Sequence, residues 1–145
     1  MLQVAVVLPT SFTSGGEFLA DVAALEAAGA AALLVEDSTP ASLVALAAAA
    51  ALTHRVNLGC ISNDDSQGGL EAVNRLSGGR ASSPDRAGWA EIDLPEDRAA
   101  WNQTLAAQES AGMTGVIVRW DPRLVDLLRN PDGDDDRSDL VMSTG

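Results

Sequence analysis

A few positions in this sequence put polar or reactive side chains where chemistry can be done. Glu36 and Asp37 follow the apolar run Ala32 to Val35, and Gly59 and Cys60 close the short run that starts at Val56. Both runs read as strands, and in a parallel α/β sheet ligands bind beyond the carboxyl ends of strands. A carboxylate pair there can contact a ligand; it can equally cap the helix that follows. A glycine there lets a flat ring approach the backbone, or it belongs to tight packing of small residues. Cys60 lies in an apolar strand with nothing to lower its thiol pKa, so it is not expected to act as a nucleophile. His54 is the one histidine. It ends a helix, where it suits the dipole, and no Ser-His-Asp arrangement can be built on it.

Other signals are weaker. Ser14-Gly15-Gly16 opens a helix, and exposed amides at such a place can hold an anion. The stretch is neither a G-x-G-x-x-G fingerprint nor a P-loop. Asn130 to Asp136, NPDGDDD, starts like a calcium loop. Its sixth position is Asp135 instead of Gly and its twelfth is Val141 instead of Glu, so an EF-hand is excluded and no metal site is expected. Asn102-Gln103-Thr104 fits a glycosylation sequon but falls on a predicted helix.

The elements that must position these residues alternate. Gln3 to Leu8 is an apolar run closed by Pro9, the pattern of a strand buried on both faces. Ser14 with Glu17 forms a capping box, followed by Phe18, Val22, Leu25 and Ala28 at helical spacing, with Gly29 as the stop. Thr39-Pro40 opens a second helix, Ala41 to Leu52. The first sixty residues therefore read β-α-β-α-β, which predicts a parallel sheet with right-handed crossovers. Leu70 to Leu76 reads as a short helix ended by Gly78-Gly79. Trp89 to Leu94, WAEIDL, alternates apolar and acidic residues like an edge strand with one wet face. Pro95 opens a helix to Ala111, Gly115 to Val118 is a further buried strand, and Asp121-Pro122 caps a last helix. Residues 130 to 145 are acidic and Gly-containing and are expected to be a disordered tail after a single domain spanning 1 to 129.

Composition narrows the function classes. The chain has 145 residues, a net charge of −12 and only 3% aromatic residues. Its basic residues are all arginines and are scattered, so nucleic acid is not an expected partner. The single cysteine excludes an internal disulfide framework and fits a reducing cytosol. The first residues lack the charged and apolar regions of a signal peptide, and the Ala-rich run 47 to 51 is too short to span a bilayer. A cytoplasmic chain without a membrane partner is expected.

Several segments, in order, are similar to one known family. "VAVVLPT", "ALEAAGAAALLVED" and "ALAAAAALTHRVNLG" resemble the first three strand-helix units of the bacterial luciferase-like flavin- and deazaflavin-dependent oxidoreductases. "VNRLSGGR", Val73 to Arg80, is similar to the "D-x-LSGGR" segment that follows them in the family. "RAAWNQTLAAQESAGMTGVIV" resembles the helix and strand near the family's C-terminus. The resemblance implies a partial (β/α) barrel of about five mostly parallel strands with helices packed outside, because the chain is about half the length of a full barrel, typically ~250 residues. It implies FMN or a deazaflavin coenzyme, with Asp37, Gly59 and Cys60 lining the ring, and a homodimer that completes the barrel or pocket. Ser38 stands where family members often carry the histidine of an Asp-His pair. That departure supports an alternative: a non-catalytic interaction or scaffold relative of the same family. Arg80 is expected to brace its loop to Glu91 or Asp93.

Overall fold

The computed structural model describes residues 2–11, 14–62, 69–81 and 87–129. The tail expected at 130 to 145 and much of the two middle loops lie outside these. The described chain runs β1 (Gln3–Val7), α1 (Gly15–Ala28), β2 (Ala32–Val35), α2 (Pro40–Leu52), β3 (Asn57–Cys60), α3 (Gly69–Leu76), β4 (Trp89–Glu91), α4 (Arg98–Ser110), β5 (Gly115–Arg119) and α5 (Leu124–Arg129). The local signals act as their chemistry requires. Ser14 Oγ accepts from the Glu17 N–H at 3.2 Å. Thr39 caps α2, with Pro40 in the first turn where its missing N–H costs nothing. α4 starts later than Pro95, because Asp97 is its cap and accepts from the Ala100 N–H at 2.8 Å.

The five strands form one parallel sheet in the order β3-β2-β1-β5-β4. From the other end, β4-β5-β1-β2-β3 advances by one strand at each step and passes from the last strand to the first. Strands around a (β/α) barrel follow the same rule. β3 and β4 are the two edges and do not pair, so the sheet is open: a partial barrel, as expected.

The steps β1 to β2, β2 to β3 and β4 to β5 all run the same way, so right-handed crossovers place α1, α2 and α4 on one face. β4 lies at the opposite edge from β3, and α3 between them packs against α2 on that same face. The packing agrees. Val4, Val6, Leu33, Val35, Leu58, Val116 and Val118 point into one large core with Phe18, Val22 and Leu25 of α1, Leu46 of α2, Val73 of α3, Trp101 of α4 and Leu124 of α5. Side chains at alternate strand positions form a second cluster of Ala5, Val7, Leu34 and Ile117, joined by Ala32, Ile61 and Trp89. No residue of the five helices belongs to it. We call this helix-free side of the sheet the inner face. Gly115 opens β5 between two neighbours. A Cβ there would lie 2.6 Å from the Gln3 carbonyl oxygen and 2.5 Å from the Trp89 ring, so only glycine lets the indole cross it.

The Gly-Gly-Arg segment is a turn with a long reach. Gly78 and Gly79 take the left-handed backbone at φ 73 and 92 that glycine adopts freely, and α3 stops. The expected brace from Arg80 to Glu91 or Asp93 is corrected by the structure. Arg80 turns back onto the end of α2. Nη1 donates to Thr53 Oγ1 at 2.9 Å and to the Val56 carbonyl at 2.8 Å. Nη2 donates to the carbonyls of Ala50 at 3.1 Å and Thr53 at 2.8 Å, and Nε to that of Ser77 at 2.8 Å. A helix end leaves its last carbonyls without partners, and the five N–H donors of one guanidinium answer four carbonyls and one hydroxyl around the ends of α2 and α3. No donor is left for a distant carboxylate.

Candidate functional site

The carboxyl edge of the sheet is where the two central strands and their loops create space. Val7 of β1 is in register with Leu34 on one side and Arg119 on the other. Beside it opens a cavity of about 490 Å3. Val7, Ile61 and Ile117 are its apolar residues from the inner face, and Ile92 and Leu94 close it from the segment after β4. Its charged residues are Glu91, Asp93, Arg119 and Asp121. Trp120 lines this cavity and also a smaller one of about 370 Å3, beside Leu8, Phe18, Glu17 and Asp21 at the start of α1. The Trp120 N–H donates to the Val7 carbonyl at 2.9 Å, which continues the β1–β5 pairing past the strand ends.

The charges at this edge are mostly matched in pairs. Arg119 is ion-paired with Glu36, and both are well exposed. Asp121 accepts from the Arg123 N–H at 2.9 Å and from its Nε at 3.1 Å. That backbone N–H, against a small opposing effect of burial, holds the Asp121 carboxyl below its ordinary value, with the Arg123 side chain adding to the effect. In the neighbouring hollow Asp21 is pushed up, first by partial burial and then by Glu17 one turn away.

The three residues expected to line a ring are placed differently from one another. Asp37 begins the loop into α2, and its Oδ1 accepts from Ser42 Oγ at 2.7 Å, Thr39 Oγ1 at 2.8 Å and the Thr39 N–H at 3.1 Å. The Ser42 and Thr39 hydroxyls hold its carboxyl below the usual range, with the Thr39 amide adding to them. This is the capping role, performed by Asp37 and Thr39 together. Gly59 is buried and in register with Leu34, which belongs to the inner-face cluster. Cys60 is in register with Val35 and lies in the large core on the helix side, with Sγ donating to the Asp37 carbonyl at 3.5 Å. Strand alternation thus separates the last two, and Gly59 alone of the three belongs to the inner face.

His54 is exposed at the end of α2. It contributes through its backbone: the N–H groups of His54, Arg55 and Val56 all donate to the Glu26 carboxylate, at distances down to 2.6 Å. Partial burial pushes Glu26 up, but these three amides and the Arg55 charge outweigh it and hold it below its ordinary value. Ser14 spends its hydroxyl on the α1 cap.

Arg119, Trp120, Asp121, Glu91 and Asp93 were not among the sequence candidates. Arg119 to Asp121 stand just past an apolar strand, the same signal that selects Glu36 and Asp37. Among the described residues no three His, Cys, Asp or Glu come together as a metal-binding group. No described helix is long and apolar enough to cross a membrane. No protein-family model matches the chain, nor does any curated protein or solved structure.

Proposed function

We propose that the chain is a shortened luciferase-like (β/α) domain that holds the ring of a flavin or deazaflavin on its inner face, with a second copy covering the open side. The observation that carries this reading is the strand order β4-β5-β1-β2-β3 with every described helix on one face. In a (β/α) barrel the helix-free face is the interior, and its carboxyl edge is where active sites are built. Here that edge has an apolar wall of Val7, Ile61 and Ile117 in a cavity of about 490 Å3, and a guanidinium, Arg119, at its polar side. The residues fit the ring better than a phosphate: Arg119 is the one cation among the described lining residues, against Glu91, Asp93 and Asp121. The phosphate of FMN or of a deazaflavin coenzyme would lie outside the cavity.

When bound, the ring supplies hydride or oxygen chemistry, which makes the domain an oxidoreductase of the monooxygenase type. The chain's own residues do the rest. Val7, Ile61 and Ile117 exclude water from one face of the ring, Gly59 leaves the backbone of β3 open to close approach, and Arg119 orients the polar edge. An open sheet leaves the ring's other face to solvent, which is the reason for the second copy. Such a domain, with its lone cysteine reduced, belongs in the cytoplasm.

A second reading is a non-catalytic relative that serves an interaction. It is favoured by Asp37 being consumed by the α2 cap and by Cys60 facing the helices, which leaves neither available as an acid or base at the ring. Titration of the purified protein with riboflavin, FMN and a deazaflavin, followed by flavin fluorescence and visible absorbance, separates the two. The ring-binding reading expects saturable binding; absence of binding at high micromolar ligand leaves the interaction reading alone. Sedimentation equilibrium with and without ligand tests the second copy, and a concentration-independent monomer with ligand bound contradicts it.

A further inference from the structure

We infer that Glu36 and Arg119 form a latch across the carboxyl end of β1, and that Arg119 leaves Glu36 to hold the acceptor-bearing edge of a planar ring in the inner-face cavity. The inference rests on the reading of that face as a ring site and names the group that selects the ring. Val7 is in register with Arg119 of β5 and, on its other side, with Leu34 of β2. Glu36 stands two residues beyond Leu34 and so on the same side of the sheet; Arg119 stands two beyond Ile117 and shares its side. The ion pair therefore spans the end of β1, with Arg119 lining the cavity that holds the apolar wall. Arg119 is 73% exposed and Glu36 51% exposed, so the contact is screened and weak, and giving it up costs little. It still keeps the guanidinium at the cavity.

The chemistry of the ligand follows from what surrounds that guanidinium. Its planar fork matches two adjacent acceptors, as in a ring carbonyl beside an unprotonated ring nitrogen, which a lysine ammonium would meet only as a point charge. Arg123, the other cation nearby, is committed to Asp121 and to the Glu96 carbonyl at 2.7 Å. Asp93 and Asp121 line the same cavity and disfavour a fully charged anion. The ligand class is a flat, uncharged heteroaromatic ring with paired acceptors on one edge.

The two partners are predicted to act in opposite directions, which a packing role would not produce. Riboflavin affinity is measured by fluorescence quenching for the wild type, Glu36→Gln, Arg119→Gln and the double variant, with circular dichroism melts confirming that each is folded. Freeing Arg119 by Glu36→Gln should tighten binding about threefold. Arg119→Gln should weaken it by roughly tenfold or more. The double variant should match Arg119→Gln, because Glu36 acts only through Arg119. Equal affinity in all four overturns the latch while leaving the ring site standing. Weaker binding by Glu36→Gln also overturns it, since Glu36 would then itself be a contact. No binding by the wild type removes the ring reading, and the latch with it.

Discussion

The two ends of the parallel sheet are built on different terms. At the amino end, polar groups are tied many times over: the Glu26 carboxylate takes three backbone N–H groups, and the Arg80 side chain makes four hydrogen bonds around the end of α2 and a fifth to the Ser77 carbonyl. Thr53 adds one more, from Oγ1 to the Ala49 carbonyl at 2.7 Å. At the carboxyl end the bonds of Asp37 and Asp121 stay within a few residues of chain, and the ion pair of Arg119 with Glu36 that bridges two strands lies in solvent. Buried polar groups lose much when a partner is removed, and exposed pairs lose little. One end therefore fixes the fold, and under the proposed function the other keeps charges at hand for a ligand, the same division that separates the two ends of complete (β/α) barrels.

Substitutions at the two ends should differ accordingly in their cost. The largest loss is expected for Arg80→Met. It strands the carbonyls of Ala50, Thr53 and Val56 together, at a cost of roughly 3 kcal/mol by urea unfolding. Loss under about 1 kcal/mol would mean that water replaces the guanidinium and that the amino end is not specially fixed. Gly115→Ala comes next. Its methyl group meets the Gln3 carbonyl and the Trp89 ring, and forcing these apart costs roughly 2 kcal/mol, with a shift in tryptophan emission.

Glu26→Gln is smaller, about 1 kcal/mol at neutral pH, since the carboxylate is only partly covered. Its effect also has a sign with pH. The folded-state pKa of Glu26 lies below the unfolded one, so its contribution is complete above the ordinary carboxylate range and is lost as pH falls through the folded value. The stability gap between wild type and Glu26→Gln should therefore close in acid. A gap that stays constant from pH 7 to pH 3 contradicts the amide cluster as its source. Smallest of all, Arg119→Gln and Glu36→Gln should each stay within about 0.5 kcal/mol of wild type. A large loss from either would place the carboxyl end among the fixing elements.

Much of this architecture can be read in the residues. Ser14 with Glu17, and Thr39 with Pro40, mark their helix starts because caps act over three residues. The apolar runs at Val4, Leu33, Leu58 and Val116 mark buried parallel strands, and of the expected edge strand WAEIDL only Trp89–Glu91 pairs, at the edge of the sheet. What stays hidden is long-range. Arg80 meets acceptors 24 to 30 positions earlier in the chain, all of them on α2 and the turn into β3, and carbonyls leave no mark in a sequence. Glu26 likewise reaches amides 28 to 30 residues on. Gly59 and Cys60 look equivalent as a pair, yet alternation sends one to each face, and only the pairing with Leu34 and Val35 decides which. Arg119 was legible by position, just past an apolar strand, but nothing local ties it to Glu36, since β5 comes to lie beside β1 only in the folded sheet.

The central claim, that the inner face at the carboxyl edge receives a planar ring, is tested most directly by amide chemical-shift mapping of the protein titrated with riboflavin. Saturable shifts are expected at Val7, Gly59, Ile61, Ile117 and Arg119, with Glu26, Thr53 and Arg80 at the opposite end unmoved. Shifts confined to the outer groove between α2 and α3, around Leu43, Val44 and Leu76, or no shifts at all, would contradict it.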